Sequence, residues 1–376
     1  MSVIADRAIR TSRTPIDLAT VAGIALVAGA LWMALGAPGQ IAVHPVAIAA
    51  AFLGGALLFA RAPLGLAGLV LPYLALPGLL AAVAATPGAV NGAVWMTLFG
   101  CWLAAIVGVS RLSGLRMLSR SADRWRDIAV AALFGVWILL LWQALVVGFG
   151  VPFILLPPLS AVGIRLIGSL PILWADFRQT FLKAVIAGYA IGCLSGFFIA
   201  VVVDRVAFLK RGLLPVGNLV SALPIIGIAP IMVMWFGFDW QSKAAVVTVM
   251  TFFPMLVNTV AGLSASEAME RDLMHTYAAN YWQSLFKLRL PAALPFIFNA
   301  LKINSTLAMI GAIVAEFFGT PIVGMGFRIS TEVGRMNIDM VWAEIAVAAL
   351  AGSVFYGVVA LIERASTFWH PSFRQP

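Results

Sequence analysis

The chain is expected to be an all-α integral membrane protein of about ten transmembrane helices, in which a six-helix core follows about four extra helices. Three observations predict this fold class. Apolar residue types make up 62% of the 376 residues and charged types only 10%, whereas a soluble domain carries about 25% charged residues to face water. Mean hydropathy is +1.02. The apolar residues also gather in runs of about 20, the helical length that crosses roughly 30 Å of hydrocarbon.

The elements follow in order. The opening residues, MSVIADRAIRTSRTPID, are polar and basic; they read as a cytoplasmic tail that feeds a retained first span rather than as a cleaved signal. Early spans are expected at 18–36, 41–60, 66–86 and 91–110, separated by Pro- and Gly-containing breaks at 37–40, 61–63 and 87–88. Pro72 and Pro77 fall inside the third, which allows a kink there. Residues 111–127, RLSGLRMLSRSADRWRD, hold five Arg in seventeen residues and mark an internal boundary. The expected division is therefore an accessory membrane region at 1–110, a basic cytoplasmic linker at 111–127, a core at 128–365 and a cytoplasmic tail at 366–376. Within the core, spans are expected near 128–150, 180–203, 213–236, 243–262, 293–316 and 341–362.

Charge sets the direction. A net charge of +9 could suit a nucleic-acid partner, but the basic residues sit in short loops between apolar runs, as the positive-inside rule arranges them. With both termini cytoplasmic, 17 of the 24 Lys and Arg fall inside and six outside or near the outer ends, leaving Lys302 alone within a span. The expected placement is thus multi-pass in a membrane, with membrane lipid as surroundings and no nucleic-acid partner. Cys101 and Cys193 lie in apolar runs and read as packing residues. His44, His275 and His370 form no metal-ligand cluster with Cys or carboxylates. No GxxxxGK[ST] phosphate cradle occurs, so the chain is expected to carry no ATPase site and no cofactor. Energy for any pumping would come from another subunit or an ion gradient.

Few polar groups sit at membrane depth. Asn299, Lys302 and Ser305 recur at helical spacing with Thr306 nearby, a stripe that would point to a partner helix or a central path. Lys302, near the inner end of its span, could instead snorkel to the interface. Glu316 and Glu344 lie near outer ends, where anchoring or pairing is the expected role rather than proton transport.

The segment 263–291, LSASEAMERDLMHTYAANYWQSLFKLRLP, is too polar to span yet too patterned for a linker. Residues 266–280 are expected to form a helix with Ser266 as N-cap and acids at 267, 270 and 272 near its positive end. Asn280 could close it, and a second short helix from Tyr281 would be separated from the next span by Pro291. Tyr277, Tyr281, Trp282 and Phe286 offer apolar knobs, suited equally to a soluble partner or to lipid.

Here the chain resembles the transmembrane permease subunit of binding-protein-dependent ATP-binding-cassette importers, in the branch of nitrate, sulfonate and taurine permeases. That family's loop begins Glu-Ala-Ala, carries a Gly and ends Ile-x-Leu-Pro. With Leu290 and Pro291 fixing the register, the acidic position falls on Asp272, the two Ala on Leu273 and Met274, the Gly on Ala278 and the Ile on Leu288. The Ala at 278 is a mild departure if the position is helical. VPFILLPPLSAV (151–162), LPIIGIAPIMVMWFG (223–237), LRLPAALPF (288–296), LKINSTLAMIGAIVAEFFG (301–319) and GMGFRI (324–329) follow in the family's order, so the likeness covers about 127–365. The form of 301–319 is nearest the vitamin-precursor members.

The resemblance implies a bacterial inner-membrane location, an importer-permease core and a pathway for a small polar organic solute or anion. It implies a second permease subunit, as a homodimer, and a periplasmic or lipid-anchored solute-binding protein. A cytoplasmic ATPase using ATP and Mg would dock on 266–290 through Asp272, Met274, Tyr277, Ala278, Trp282, Leu288, Leu290 and Pro291. Asn299, Lys302, Ser305 and Thr306 are the candidate pathway residues. The first four spans would be an accessory domain or an inert fused addition. Two other readings are an ion-gradient-driven secondary transporter, disfavoured by the shortage of central carboxylates, and a non-transporting membrane scaffold.

Overall fold

The computed structural model describes residues 18–35, 43, 45–58, 64–88, 90–114, 120–221, 224–319 and 322–368. The expected N-terminal tail, His44, His370 and most of the C-terminal tail lie outside them. Every element among the described residues is helical. In chain order these are α1 (Leu18–Leu35), α2 (Pro45–Leu58), α3 (Leu64–Ala85), α4 (Gly92–Gly114), α5 (Arg120–Gly148), α6 (Leu159–Gly168), α7 (Leu170–Phe177), α8 (Ile186–Arg205), α9 (Ala207–Ser221), α10 (Ile225–Phe236), α11 (Trp240–Leu263), α12 (Ala268–Thr276), α13 (Tyr281–Ser284), α14 (Leu290–Glu316), α15 (Met325–Gly334) and α16 (Ile338–Ser366).

Among the described residues, seven helical stretches are long and apolar enough to cross a membrane: Leu18–Leu35, Gly92–Ser110, Trp125–Gly148, Leu170–Arg205, Trp240–Leu263, Tyr281–Glu316 and Ile338–Ser366. The protein is an all-α, multi-pass membrane protein. The expected span at 213–236 is not one helix. Pro224 has extended backbone (φ −69°, ψ 124°) and starts α10 afresh. Among the described residues the apolar run thus falls into α9 and α10, with Pro224, which has no N–H, opening the second.

The chain forms two compact units, Met1–Ala161 and Val162–Pro376. In the first, small residues let α1 approach α4: a Cβ on Gly100 would lie 2.8 Å from Leu26 Cγ. Thr97 is fully buried there and donates its hydroxyl to the Ala93 carbonyl at 2.8 Å, which satisfies it within its own helix. Leu26, Leu79, Val83, Val94 and Cys101 form the surrounding core.

The second unit is organised on α11, with α8 packed on one side and α14 on the other. The α8 face is a ladder of small residues four apart, Gly188, Gly192, Gly196 and Ala200, all buried, continued by buried Ala184 in the π-helical stretch before it. Spacing of four places them on one stripe, and their smallness lets the α11 backbone come close. On the opposite side Gly262 of α11 meets Ala293 and Phe296 of α14. Fully buried Asn304 of α14 reaches across to the Thr251 carbonyl at 2.8 Å, a polar tie between the two helices. Between α7 and α8, residues Arg178–Val185 form a π-helical stretch, so Leu170–Arg205 runs as one long apolar rod.

Candidate functional site

Two polar constructions stand at opposite ends of α11 and α14. The first is the elbow joining α11 to α14. Its first helix is α12, shorter than expected: Glu267, not Ser266, is the N-cap, and Glu270 accepts the Glu267 N–H at 3.1 Å. Ser266 is buried instead. Asn280 does not close this helix; it caps the next one, accepting the Gln283 N–H at 2.8 Å while Gln283 accepts the Asn280 N–H at 2.9 Å. A reciprocal pair of this kind satisfies two otherwise free donors.

Between the helices the chain turns at Ala278, whose φ is +50°. This corrects the reading of a helical position. A left-handed conformation costs a residue with a Cβ roughly 1–2 kcal/mol, where Gly pays nothing. Pro291 does not separate a loop helix from a span either. Residues Leu285–Arg289 form a π-helical turn that runs directly into α14, with Pro291 in its first turn, where no N–H partner is required.

The elbow is clamped at its base. Arg289 donates from Nε to the Leu263 carbonyl at 3.0 Å and from Nη2 to Asp204 Oδ1 at 2.7 Å. One guanidinium thereby ties the start of α14 to the ends of α11 and α8. Lys210 of α9 adds a bond to Ser264 Oγ at 2.8 Å. Arg205 lies over the Tyr281 ring at 5.2 Å from its centroid and over Trp282 at 6.0 Å. Leu285 is buried against Leu263, Ala293 and Ile297.

Of the expected coupling residues, Asp272, Tyr277, Ala278 and Trp282 are exposed, and Met274, Leu288, Leu290 and Pro291 half-buried. The outward face is apolar: Met269, Leu273 and Tyr277, spaced by four, are 77%, 56% and 78% exposed. Trp282 and Phe286 stack beside them with ring centroids 6.0 Å apart.

The expected polar stripe on α14 is split. Asn299 and Thr306 are exposed, whereas Ser305 is buried and returns its hydroxyl to the Lys302 carbonyl at 2.7 Å. Lys302 neither snorkels nor stands alone. Its Nζ meets Glu363 Oε2 of α16 at 2.7 Å, with the two side chains only 21% and 11% exposed. Beside Thr306, an open groove of about 580 Å³ between α14, α15 and α16 is lined by Met309, Ile310, Ile329, Ser353 and Tyr356 among others.

The second construction, at the far end, went unseen as a unit in the sequence because its members are up to 152 positions apart. Asp176 is fully buried and accepts the Gly324 N–H at 2.7 Å and Arg328 Nε at 2.8 Å. Thr180 accepts the Met325 N–H at 2.8 Å and donates to Glu316 Oε1 at 2.7 Å. Glu316 Oε2 accepts the Gly326 N–H at 2.7 Å. Pairing was expected for Glu316, and this is its form. The carboxylates satisfy the free N–H groups that open α15 and favour its positive end. Lys243 is buried beside Glu316, donating to the carbonyls of Phe238 (2.7 Å) and Gly319. The Gly-Met-Gly run at 324–326 gives no local sign of this partnership; the need for Gly326, whose Cβ would strike the Ile313 carbonyl, shows only in the fold.

Comparison with known proteins gives a consistent result. Residues 188–367 match the family described as binding-protein-dependent transport system inner membrane component. The riboflavin transport system permease protein of Chloroflexus aurantiacus is 30% identical over 237 residues, covering 62% of this chain and 88% of that protein. The formylaminopyrimidine transport permease protein of Halalkalibacterium halodurans is 28% identical, covering 63% of this chain and 94% of that protein. The taurine transport system permease protein of Escherichia coli is 28% identical over 43% of this chain and 58% of its own length.

Proposed function

We propose, from the premise that this chain belongs to the binding-protein-dependent transport system inner membrane component family of ATP-binding-cassette permeases, that it lines the pathway of an ATP-driven importer for a small polar organic solute or anion. The reading places 128–365 as the permease core, 1–110 as an accessory membrane region and 111–127 as a basic connector, with both termini cytoplasmic. The broken pair α9 and α10 then crosses together as one discontinuous span.

The elbow carries the proposal. An exposed apolar stripe on a helix only nine residues long cannot be an independent folding unit, yet its base is fixed to three spans by Arg289. Such a piece is suited to receive a soluble ATPase on Met269, Leu273 and Tyr277 and to pass on its movement. ATP and Mg belong to that partner. The Asn299 and Thr306 face, with the groove beside it, supports a pathway completed by a second copy of the chain. The Lys302–Glu363 pair then stands at its wall, tying α14 to α16. A vitamin-precursor cargo is consistent with the riboflavin and formylaminopyrimidine relatives, and delivery comes from a separate solute-binding protein.

The test is reconstitution of this chain with its ATPase and binding protein in liposomes. Tyr277→Asp places an unpaired charge in the docking contact, a change that costs roughly 2–5 kcal/mol when buried. Substrate-stimulated ATP hydrolysis should fall by more than about tenfold, with the permease still folded and inserted. Full coupling in that variant would remove the elbow from the mechanism.

A further inference from the structure

The far-end network contains one acid that its hydrogen bonds leave out. Glu344 of α16 has no exposed surface, and among the described residues neither of its carboxyl oxygens has a hydrogen-bond donor. The group it faces within hydrogen-bonding reach is Asp176 of α7, with Arg328 and Glu316 beyond. Asp176 is itself fully buried, and its oxygens are engaged by the Gly324 N–H and by Arg328. Two ionised carboxylates offer one another only acceptors. Glu344 therefore finds nothing to bind unless a proton lies between the pair.

The charge count leads to the same place. The titratable groups facing one another come from every element packed here: buried Asp176 from α7, Lys243 from α11, Glu316 from α14 and Glu344 from α16, and half-buried Arg328 from α15. Three carboxyls thus meet two cations. Glu332 of α15 also lies near Arg328, but it is held separately by Arg335 Nη1 at 3.1 Å and Asn337 Nδ2 at 2.7 Å. Asp239, which faces Lys243, is exposed and takes the Gln179 amide at 2.7 Å. Lys183 is exposed and turned to Gln179 Oε1 at 2.9 Å. One proton would bring this set to neutrality, which groups removed from solvent favour. A hard metal cation is a poorer fit: it takes about six or more oxygen ligands, and among the described residues no three His, Cys, Asp or Glu side chains converge to hold one.

We propose that Glu344 and Asp176 form a proton-binding site, in which Glu344 carries the proton and donates it to Asp176. Because Asp176 also holds Gly324 and Arg328, the proton is part of what pins α15 across α7 and α16. The site does not depend on the transport reading.

Infrared spectroscopy of the purified full-length chain in lipid nanodiscs tests it. At neutral pH the wild type should show the C=O stretch of a protonated carboxylic acid, shifted in heavy water, and Glu344→Gln should lack it. The Gln amide can donate to Asp176 in the proton's place, so this variant should keep the wild-type melting temperature near neutral pH. The pH response gives a second readout. The folded chain holds a proton that an ordinary, unfolded Glu has released, so raising the pH weakens the folded state, by up to about tenfold in the folded-to-unfolded ratio per pH unit. The melting temperature of the wild type should fall toward alkaline pH, and that of Glu344→Gln should fall less. An acid band that survives in Glu344→Gln would overturn the assignment, as would a variant that fails to fold. So would a wild type with no acid band that is stabilised by sodium.

Discussion

Substituting Gly188 by Ala tests the close contact between α8 and α11. A Cβ at position 188 would lie 2.5 Å from the Ala244 carbonyl oxygen and 2.6 Å from Val247 Cβ. Carbon atoms pack at about 3.5–4.0 Å, so α8 and α11 must separate by about 1 Å. Overpacking of this kind costs roughly 1–3 kcal/mol, against a helix-propensity gain of about 1 kcal/mol for replacing Gly. The net expectation is a loss of up to about 2 kcal/mol, near 2–4 °C in melting temperature per kcal/mol by the scaling of soluble domains. Gly192 and Gly196 meet the same partner, with backbone carbonyls of α11 at 2.7 Å and 2.6 Å. Once one Ala has parted the helices, the second finds room already made. The double variant Gly188→Ala/Gly192→Ala should therefore cost less than the two single losses together. Gly212→Ala is the control, because nothing lies within 4 Å of its Cβ position. Thermal unfolding of the purified chain in detergent reads all four. Gly188→Ala as stable as Gly212→Ala would mean that the helices do not meet there, and the packing argument would fail.

Two further predictions concern the elbow and the α14 face. Ala278→Gly should relieve the left-handed turn and stabilise the elbow by about 1 kcal/mol; slower amide exchange across 268–284 would register it, and faster exchange would contradict the strain. For the Lys302–Glu363 pair, Lys302→Met alone or Glu363→Gln alone strands a largely buried charge and should lower the melting temperature markedly, since breaking such pairs costs a few kcal/mol. The double variant should recover most of the loss, and additive losses would show the pair to be uncoupled.

The spans were readable because bilayer thickness forces a long, nearly charge-free run, a constraint that leaves its mark within a single helix. The elbow was readable by position for the converse reason: 263–291 is the one long polar stretch in the core that still has helical spacing. Its internal geometry was not. Asn280 can end one helix or begin another, and only Gln283 three residues on decides in favour of beginning. The backbone at Ala278 gives no local sign, because Ala ordinarily favours a right-handed helix. The ladder at 184, 188, 192, 196 and 200 was visible as spacing, but its meaning depends on α11, which lies some 60 residues later. The network around Asp176 was hidden for the same reason. Its bonds join residues 176, 180, 316, 324 and 328, and a buried acid with a distant partner looks in sequence like any acid near a helix end.

The Arg289 clamp has a mechanical consequence. A loop tethered by flexible chain would soak up displacement by bending, and little would reach the spans. Here the guanidinium joins three helix ends through two short bonds, so the elbow has almost no slack. A displacement of the start of α14 is therefore shared at once with the ends of α8 and α11.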